Sequence, residues 1–164
     1  MRSMVDRIKL ERDMKRNTLK MTLPLPYSWA IGETWTKFFD TFKNEKIMGS
    51  RCPECGRVLV PARKFCPRCF VDTTEEVEVK NEGILQGYTI VYYTFANQPR
   101  DPPYGIGVIK LDGADTGFTH FIGGMDFDVD KIQKQLVIGK TRLKAVWKDK
   151  KEGNIFDLDY FKPI

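Results

Sequence analysis

Arg51-Cys52-Pro53-Glu54-Cys55-Gly56 and, after ten residues, Cys66-Pro67-Arg68-Cys69 hold all four cysteines of the chain. Each Cys-x-x-Cys pair can form a tight turn that aims two sulfurs at one point. Two such turns brought together make a closed tetrahedral set of thiolates, the ligand set of a structural zinc ion. Gly56 follows the first pair, where a turn of this kind often needs a positive φ. Two disulfides would need an oxidising compartment, and a redox Cys-x-x-Cys has no use for a second copy so close by. Iron stays chemically open, because four thiolates do not choose strictly between zinc and iron. We read the site as one zinc per chain on Cys52, Cys55, Cys66 and Cys69. A closed four-sulfur site offers no open position to substrate, so the metal would be a fold element rather than a catalyst.

The charge around this segment is uneven. Residues 46–70 carry a net charge of +5, residues 1–20 carry +4, residues 21–45 carry −1 and residues 71–164 carry −3. Zinc with four thiolates would bring the 46–70 segment to about +3. Arg51, Arg57, Arg63, Lys64 and Arg68 would decorate the resulting knob. The long C-terminal part is mildly acidic, which argues against a nucleic-acid groove there.

On the N-terminal side, residues 3–20 are rich in Arg, Lys and Met. They read as a basic extension whose only regular structure would be a short helix, marginal by itself. Pro24 and Pro26 then break the chain. Residues 33–46 read as a helix, with Trp35, Phe38, Phe39 and Phe42 at helical spacing. This stripe predicts packing on the metal knob or on another subunit. On the C-terminal side the period changes to that of strands. Expected strands are 84–95, 104–111, 117–122, 140–148 and 154–161, punctuated by Gly83, Gly87, Gly113, Gly123, Gly124 and Gly153. A helix is expected within 126–136, between the third and fourth strands, with Asp126, Asp128 and Asp130 at its solvated start. That order is the one of a five-stranded OB-fold barrel. The fold class is therefore mainly β with N-terminal helices, a zinc ribbon preceding an OB-fold. The expected division is 1–46 for the extension and aromatic helix, 47–72 for the ribbon and 73–164 for the barrel.

Length and composition limit function further. The chain has 164 residues, 41% of them apolar, which suffices for one core. It has one histidine, His120, in an alternating strand pattern that suits a packed or surface residue better than a general base. With the cysteines assigned to metal no thiol nucleophile remains. Ser3, Ser28 and Ser50 are the only serines, and none sits in a nucleophile elbow. There is no P-loop and no glycine-rich dinucleotide motif. The longest apolar run, Ile90 to Ala96, is far too short to span a bilayer. No apolar leader precedes the charged N-terminal residues, and with the thiolate site this predicts a cytoplasmic protein. The chain carries no catalytic groups of its own and reads as a binding or scaffolding subunit.

The aromatic helix leads into the ribbon motif, then Val60-Pro61-Ala62-Arg63 and the second cysteine pair. A barrel follows, with Pro102-Pro103-Tyr104-Gly105 entering a strand that ends Lys110-Leu111-Asp112-Gly113. Over about residues 30–164 this resembles the acyl-CoA-associated proteins that join a rubredoxin-like zinc ribbon to an OB-fold. Members commonly have two prolines before the arginine, where this chain has Pro61 and then Ala62. The basic extension before residue 25 is also longer than usual. The resemblance implies a hetero-oligomer, of two-plus-two form, with a thiolase-type acyltransferase whose large subunit supplies the chemistry. It implies CoA or an acyl-CoA thioester as a shared ligand. Arg63, Lys64 and Arg68 would then be the candidate phosphate contacts, and Trp35, Phe38, Phe39 and Phe42 the candidate docking residues. Single-stranded nucleic acid is the alternative partner, with Tyr88, Tyr92, Tyr93 and Phe95 as stacking candidates. A rubredoxin-like electron carrier with iron ranks last.

Overall fold

The computed structural model describes residues 10–13, 18–21, 27–94, 98 and 100–164. They part into two compact units, residues 1–30 and 31–164.

In the first unit, β1 (Leu10–Asp13) pairs antiparallel with β2 (Thr18–Met21), Leu10 opposite Met21 and Asp13 opposite Thr18. The described part of the basic extension is thus a pair of facing strands, and not the marginal short helix that its sequence allowed. A lone short helix carries an unrepaid nucleation cost, whereas two facing strands satisfy each other's backbone groups. Pro24 and Pro26 lie outside the described residues.

The second unit begins with α1 (Gly32–Asp40), which tightens into a 3₁₀ turn over Thr41–Asn44. The turn ends at Glu45, which takes a left-handed φ of 58°. A three-stranded antiparallel sheet follows. Its centre is β3 (Ile47–Arg51), flanked by β4 (Val58–Leu59) and by β5 (Glu75–Val79). Register runs from Ile47 opposite Val79 to Arg51 opposite Glu75, and Arg51 also faces Val58. The ribbon's sheet therefore draws a strand from beyond residue 72.

The remaining strands are β6 (Glu82–Val91), β7 (Tyr104–Leu111), β8 (Gly117–Ile122), β9 (Arg142–Trp147) and β10 (Leu158–Pro163). They close a barrel in the order β10-β8-β7-β6-β9, and α2 (Val129–Gln135) lies between β8 and β9. This is the OB-fold order read from the sequence. Two strands match the expected bounds at both ends. Asp128 caps α2 by accepting the Asp130 N–H at 3.1 Å, as its place at a solvated helix start suggested. The expected first strand stops at Val91, and Phe95 lies outside the described residues. Barrel closure is narrowest at β8–β10, which pair in parallel only at Phe161 and Ile122.

Alternation in β7 and β8 sends Ile109, Leu111, Phe118 and Ile122 inward. Phe38 and Phe42 join the same core, Phe42 at 5.2 Å from Trp147 and Phe38 at 6.4 Å from Phe118, ring centre to ring centre. Gly83 marks the tightest crossing: a Cβ there would stand 2.3 Å from the carbonyl oxygen of Lys110, a backbone atom that cannot yield.

Ribbon and barrel are stitched together by the β7–β8 loop. The Asp115 carboxylate accepts the Val58 N–H at 2.9 Å, and the Asp115 N–H donates to the Val58 carbonyl at 2.8 Å. The Thr116 hydroxyl accepts the Val60 N–H at 2.7 Å and donates to the Val60 carbonyl at 2.9 Å. This loop acts as a fourth strand at the edge of β4.

Two buried polar groups hold the far side of the barrel. The Asp157 carboxylate accepts the N–H groups of Glu152, Gly153 and Asn154 at 3.0, 2.6 and 3.2 Å. Burial works to raise its pKa, and these donors outweigh it and hold the carboxyl below its usual range. His120 donates from Nε2 to the Ile155 carbonyl at 3.1 Å and accepts the Phe121 N–H on Nδ1 at 2.8 Å. This bridges β8 to the turn before β10. It is a packed histidine, the inner of the two settings, packed or surface, that its strand pattern left open. Burial lowers its pKa from 6.5 to about 4. Between those values the unfolded chain takes up a proton that the folded chain refuses, so stability falls as pH falls through that window. The full loss is about 3 kcal/mol for a shift of this size. Denaturation followed from pH 7 to pH 4 should show it, and His120→Gln should flatten the slope. An unchanged slope would assign it to other groups.

Candidate metal centre and basic groove

The two cysteine turns are built alike. Cys52 N–H donates to Arg57 and Cys66 N–H to Val71, each at 2.9 Å, while Gly56 N–H donates to Cys52 and Phe70 N–H to Cys66, at 3.0 and 2.8 Å. Position 56 and position 70 are therefore equivalent, and both have positive φ, 70° and 59°. Gly56 meets that need as the sequence suggested. Phe70 meets it at a cost of about 1 kcal/mol or more, since a Cβ crowds the left-handed conformation.

All four Sγ atoms lie within 4.8 Å of one another, with Cys55 and Cys66 at 3.9 Å. Zinc–sulfur bonds of about 2.3 Å in a tetrahedron put sulfurs about 3.8 Å apart, so the set fits one zinc ion. Cys52 and Cys66 are fully buried. The thiols already perturb one another. Cys66 is lowered to about 7, chiefly because the Cys69 N–H points at its sulfur. Cys69 is pushed up to about 12 by its hydrogen bond to Cys55 and by burial. A divalent cation resolves the conflict by taking all four as thiolates. The four cysteines are positioned to bind one zinc in a rubredoxin-like ribbon.

Between the first turn of α1 and the ribbon's 61–65 loop lies an open groove of about 630 Å³, walled by Trp35, Pro61 and Phe65 and carrying two cations, Arg63 and Lys64, and one carboxylate, Glu33. Neither cation forms a salt bridge with a described residue. Arg68, the third candidate cation, is exposed on the second cysteine turn and does not line this groove. The aromatic stripe also divides. Phe38 and Phe42 are 2% and 0% exposed inside this chain's own core, which withdraws them as docking residues; a helix of this pitch turns one side of the stripe inward. Trp35 and Phe39 stay partly exposed, with ring centres 6.0 Å apart.

On the second cysteine turn two exposed aromatics escaped the sequence reading. Phe65 is 52% and Phe70 is 81% exposed, both on the second turn. Laying the two cysteine turns over each other reveals Phe70, because it stands where the first turn has Gly56. Among the described residues no nucleophile, base and orienting group come together.

Comparisons with known proteins agree with this architecture. The family described as "ChsH2, rubredoxin-like zinc ribbon domain" matches residues 42–75, and "ChsH2, C-terminal OB-fold domain" matches residues 76–148. A DUF35 domain-containing scaffold protein of Methanocaldococcus jannaschii is 33% identical over 67 residues, covering 40% of this chain and 48% of the relative. The chain thus spans about half of that relative's length. A second, from Methanothermobacter thermautotrophicus, is 27% identical over 126 residues, covering 71% and 86%. The solved structure of a DUF35 protein of unknown function from Sulfolobus solfataricus has a TM-score of 0.59 at 28% identity, covering 81% of this chain and 87% of that one. The Ltp2-ChsH2(DUF35) aldolase shares the fold, with a TM-score of 0.62 at 20% identity, covering 83% and 98%.

Two outcomes test the centre. Metal analysis should find one zinc per chain, and Cys66→Ser should lose it together with the ribbon's fold; retention of zinc would remove Cys66 from the set. Phe70→Gly should leave the zinc in place and raise stability by up to about 1 kcal/mol, read as a higher thermal midpoint, because it relieves the left-handed strain.

Proposed function

We propose, for a chain that belongs to the ChsH2-type zinc-ribbon and OB-fold (DUF35) proteins, the role of a non-catalytic subunit that shapes the CoA site of a thiolase-type acyltransferase. The carrying observation is the groove. It combines two cations without salt bridges to described residues, Arg63 and Lys64, with apolar walls of Trp35, Pro61 and Phe65. A CoA thioester asks for both: phosphates to be met by guanidinium and ammonium groups, and an adenine with a pantetheine arm that prefers apolar contact. The ribbon's metal supports the groove mechanically, by holding the loop that carries both cations.

Relatives described as scaffold proteins, and a structural neighbour in which a DUF35 component accompanies an aldolase, support a hetero-oligomeric role. We put forward a two-plus-two complex in the cytoplasm, with Trp35 and Phe39 on the docking side. The catalytic cysteine and histidine of the thiolase would lie on the large subunit. The reaction we put forward is cleavage of benzoylsuccinyl-CoA by a second CoA into benzoyl-CoA and succinyl-CoA, the one carried out with the small-subunit type that the ribbon and barrel motifs resemble. A nucleic-acid role finds less support, because residues 71–164 carry a net charge of −3.

Native mass spectrometry of the protein purified gently from its host should reveal a larger partner chain whose sequence is that of a thiolase. A zinc-bearing monomer, or a partner of another enzyme class, would overturn the assignment. In that complex Arg63→Ala should raise the apparent KM for CoA on the order of tenfold, the cost of one charge-assisted contact. An unchanged KM would take Arg63 out of the site.

A further inference from the structure

The 60–65 loop has no regular secondary structure of its own, yet its backbone is pinned at three successive points. At its start Val60 exchanges both backbone hydrogen bonds with the Thr116 hydroxyl, at 2.7 and 2.9 Å. At Arg63 the same device recurs. The Ser50 hydroxyl accepts the Arg63 N–H at 2.9 Å and donates to the Arg63 carbonyl at 2.9 Å. The Thr73 hydroxyl adds a second donor to that carbonyl, and the Thr73 N–H reaches the Lys64 carbonyl at 2.8 Å. Ser50 is 4% exposed and sits in the central strand β3, next to Gly49, where a Cβ would strike Val58 Cγ1 at 2.7 Å. A strand this tightly packed is a rigid support.

A single hydroxyl that serves one residue's N–H and C=O at once fixes that peptide in position and direction. The side chain keeps its freedom, but its point of departure does not move. For a long exposed arginine this removes part of the ordering cost of meeting a ligand. We infer that Ser50 is a positioning residue: through the Arg63 backbone it sets where the Arg63 and Lys64 side chains leave the loop and enter the groove. This rests on the reading of that groove as a CoA site. Thr116 holds the other end of the loop and, by the same geometry, has no hold on Arg63.

That pairing supplies the test. Coenzyme A is titrated into the full-length, zinc-loaded chain by calorimetry, for the wild type and for Ser50→Ala, Ser50→Thr, Thr116→Ala and Arg63→Ala. Cobalt substitution reports on the four-sulfur centre in each variant. Ser50→Ala should weaken CoA binding by about tenfold, Ser50→Thr should restore most of it, and Thr116→Ala should stay within about twofold. Ser50→Ala and Thr116→Ala each remove a matched pair of hydroxyl–backbone bonds, at Arg63 and at Val60 respectively, so equal losses of affinity would overturn the inference in favour of a general structural effect. Full affinity in Ser50→Ala with a loss in Arg63→Ala would overturn the positioning role alone. No CoA binding by the wild type, or none lost in Arg63→Ala, would overturn the groove reading and the inference with it. If Ser50→Ala does not fold, amide exchange in the wild-type chain decides. The Arg63 N–H should be protected as strongly as its neighbours in β3, and fast exchange there would overturn the proposal.

Discussion

Four sulfur atoms within 4.8 Å of one another are the constraint on which the N-terminal half of the second unit depends. Four thiolates at that spacing repel, and four thiols hydrogen-bond only partly; a zinc ion turns the same geometry into a bound one. The backbone around the four sulfurs is already formed to hold such an ion. Each cysteine turn closes on itself through a pair of backbone hydrogen bonds, and the segments between and beyond the turns become β4 and the 60–65 loop. The site has no open position, so its contribution to function is rigidity.

That rigidity passes outward through hydroxyls and carboxylates rather than through bulk packing alone. Asp115 and Thr116 tie the ribbon to the barrel, and Ser50 and Thr73 tie the basic loop to β3. Each closes a pair of backbone groups that an irregular loop would otherwise leave unmet. The aromatic helix supplies the apolar counterpart. It buries Phe38 and Phe42 against Phe118 and Trp147, so aromatic helix, ribbon and barrel share a core from residue 38 to residue 161. A protein of this size gains from one shared core, because two separate small ones would bury too little surface.

Among the described residues, the side chains best able to react are held in structural roles. The one histidine is consumed in bridging β8 to the turn before β10, the four cysteines belong to the metal, and the buried carboxylate of Asp157 is spent on its own loop. What stays outward is a basic loop and a set of aromatics on the ribbon.

The ribbon and the barrel order were readable from residues alone. Cysteine spacing is a geometric statement about sulfurs, and strand alternation with glycine punctuation states which face is buried; both are local. Five strands, the helix after the third and its acidic, solvated start followed from such local patterns. The partition of the aromatic stripe was not local. Trp35, Phe38, Phe39 and Phe42 look alike along a helix, and only the barrel's position decides that Phe38 and Phe42 face inward. Nor could charge alone separate Arg63 and Lys64 from Arg68, because the groove is made by α1 meeting a loop some thirty residues away. Nothing in the sequence marked Ser50 or Thr116 as a clamp, since a hydroxyl becomes one only when another segment brings it a backbone N–H and C=O together. The sequence by itself determined the metal ligands and the order of the strands, because those depend on spacing along the chain. Only the tertiary structure decided which aromatics and cations remain outside, because that depends on what packs against them.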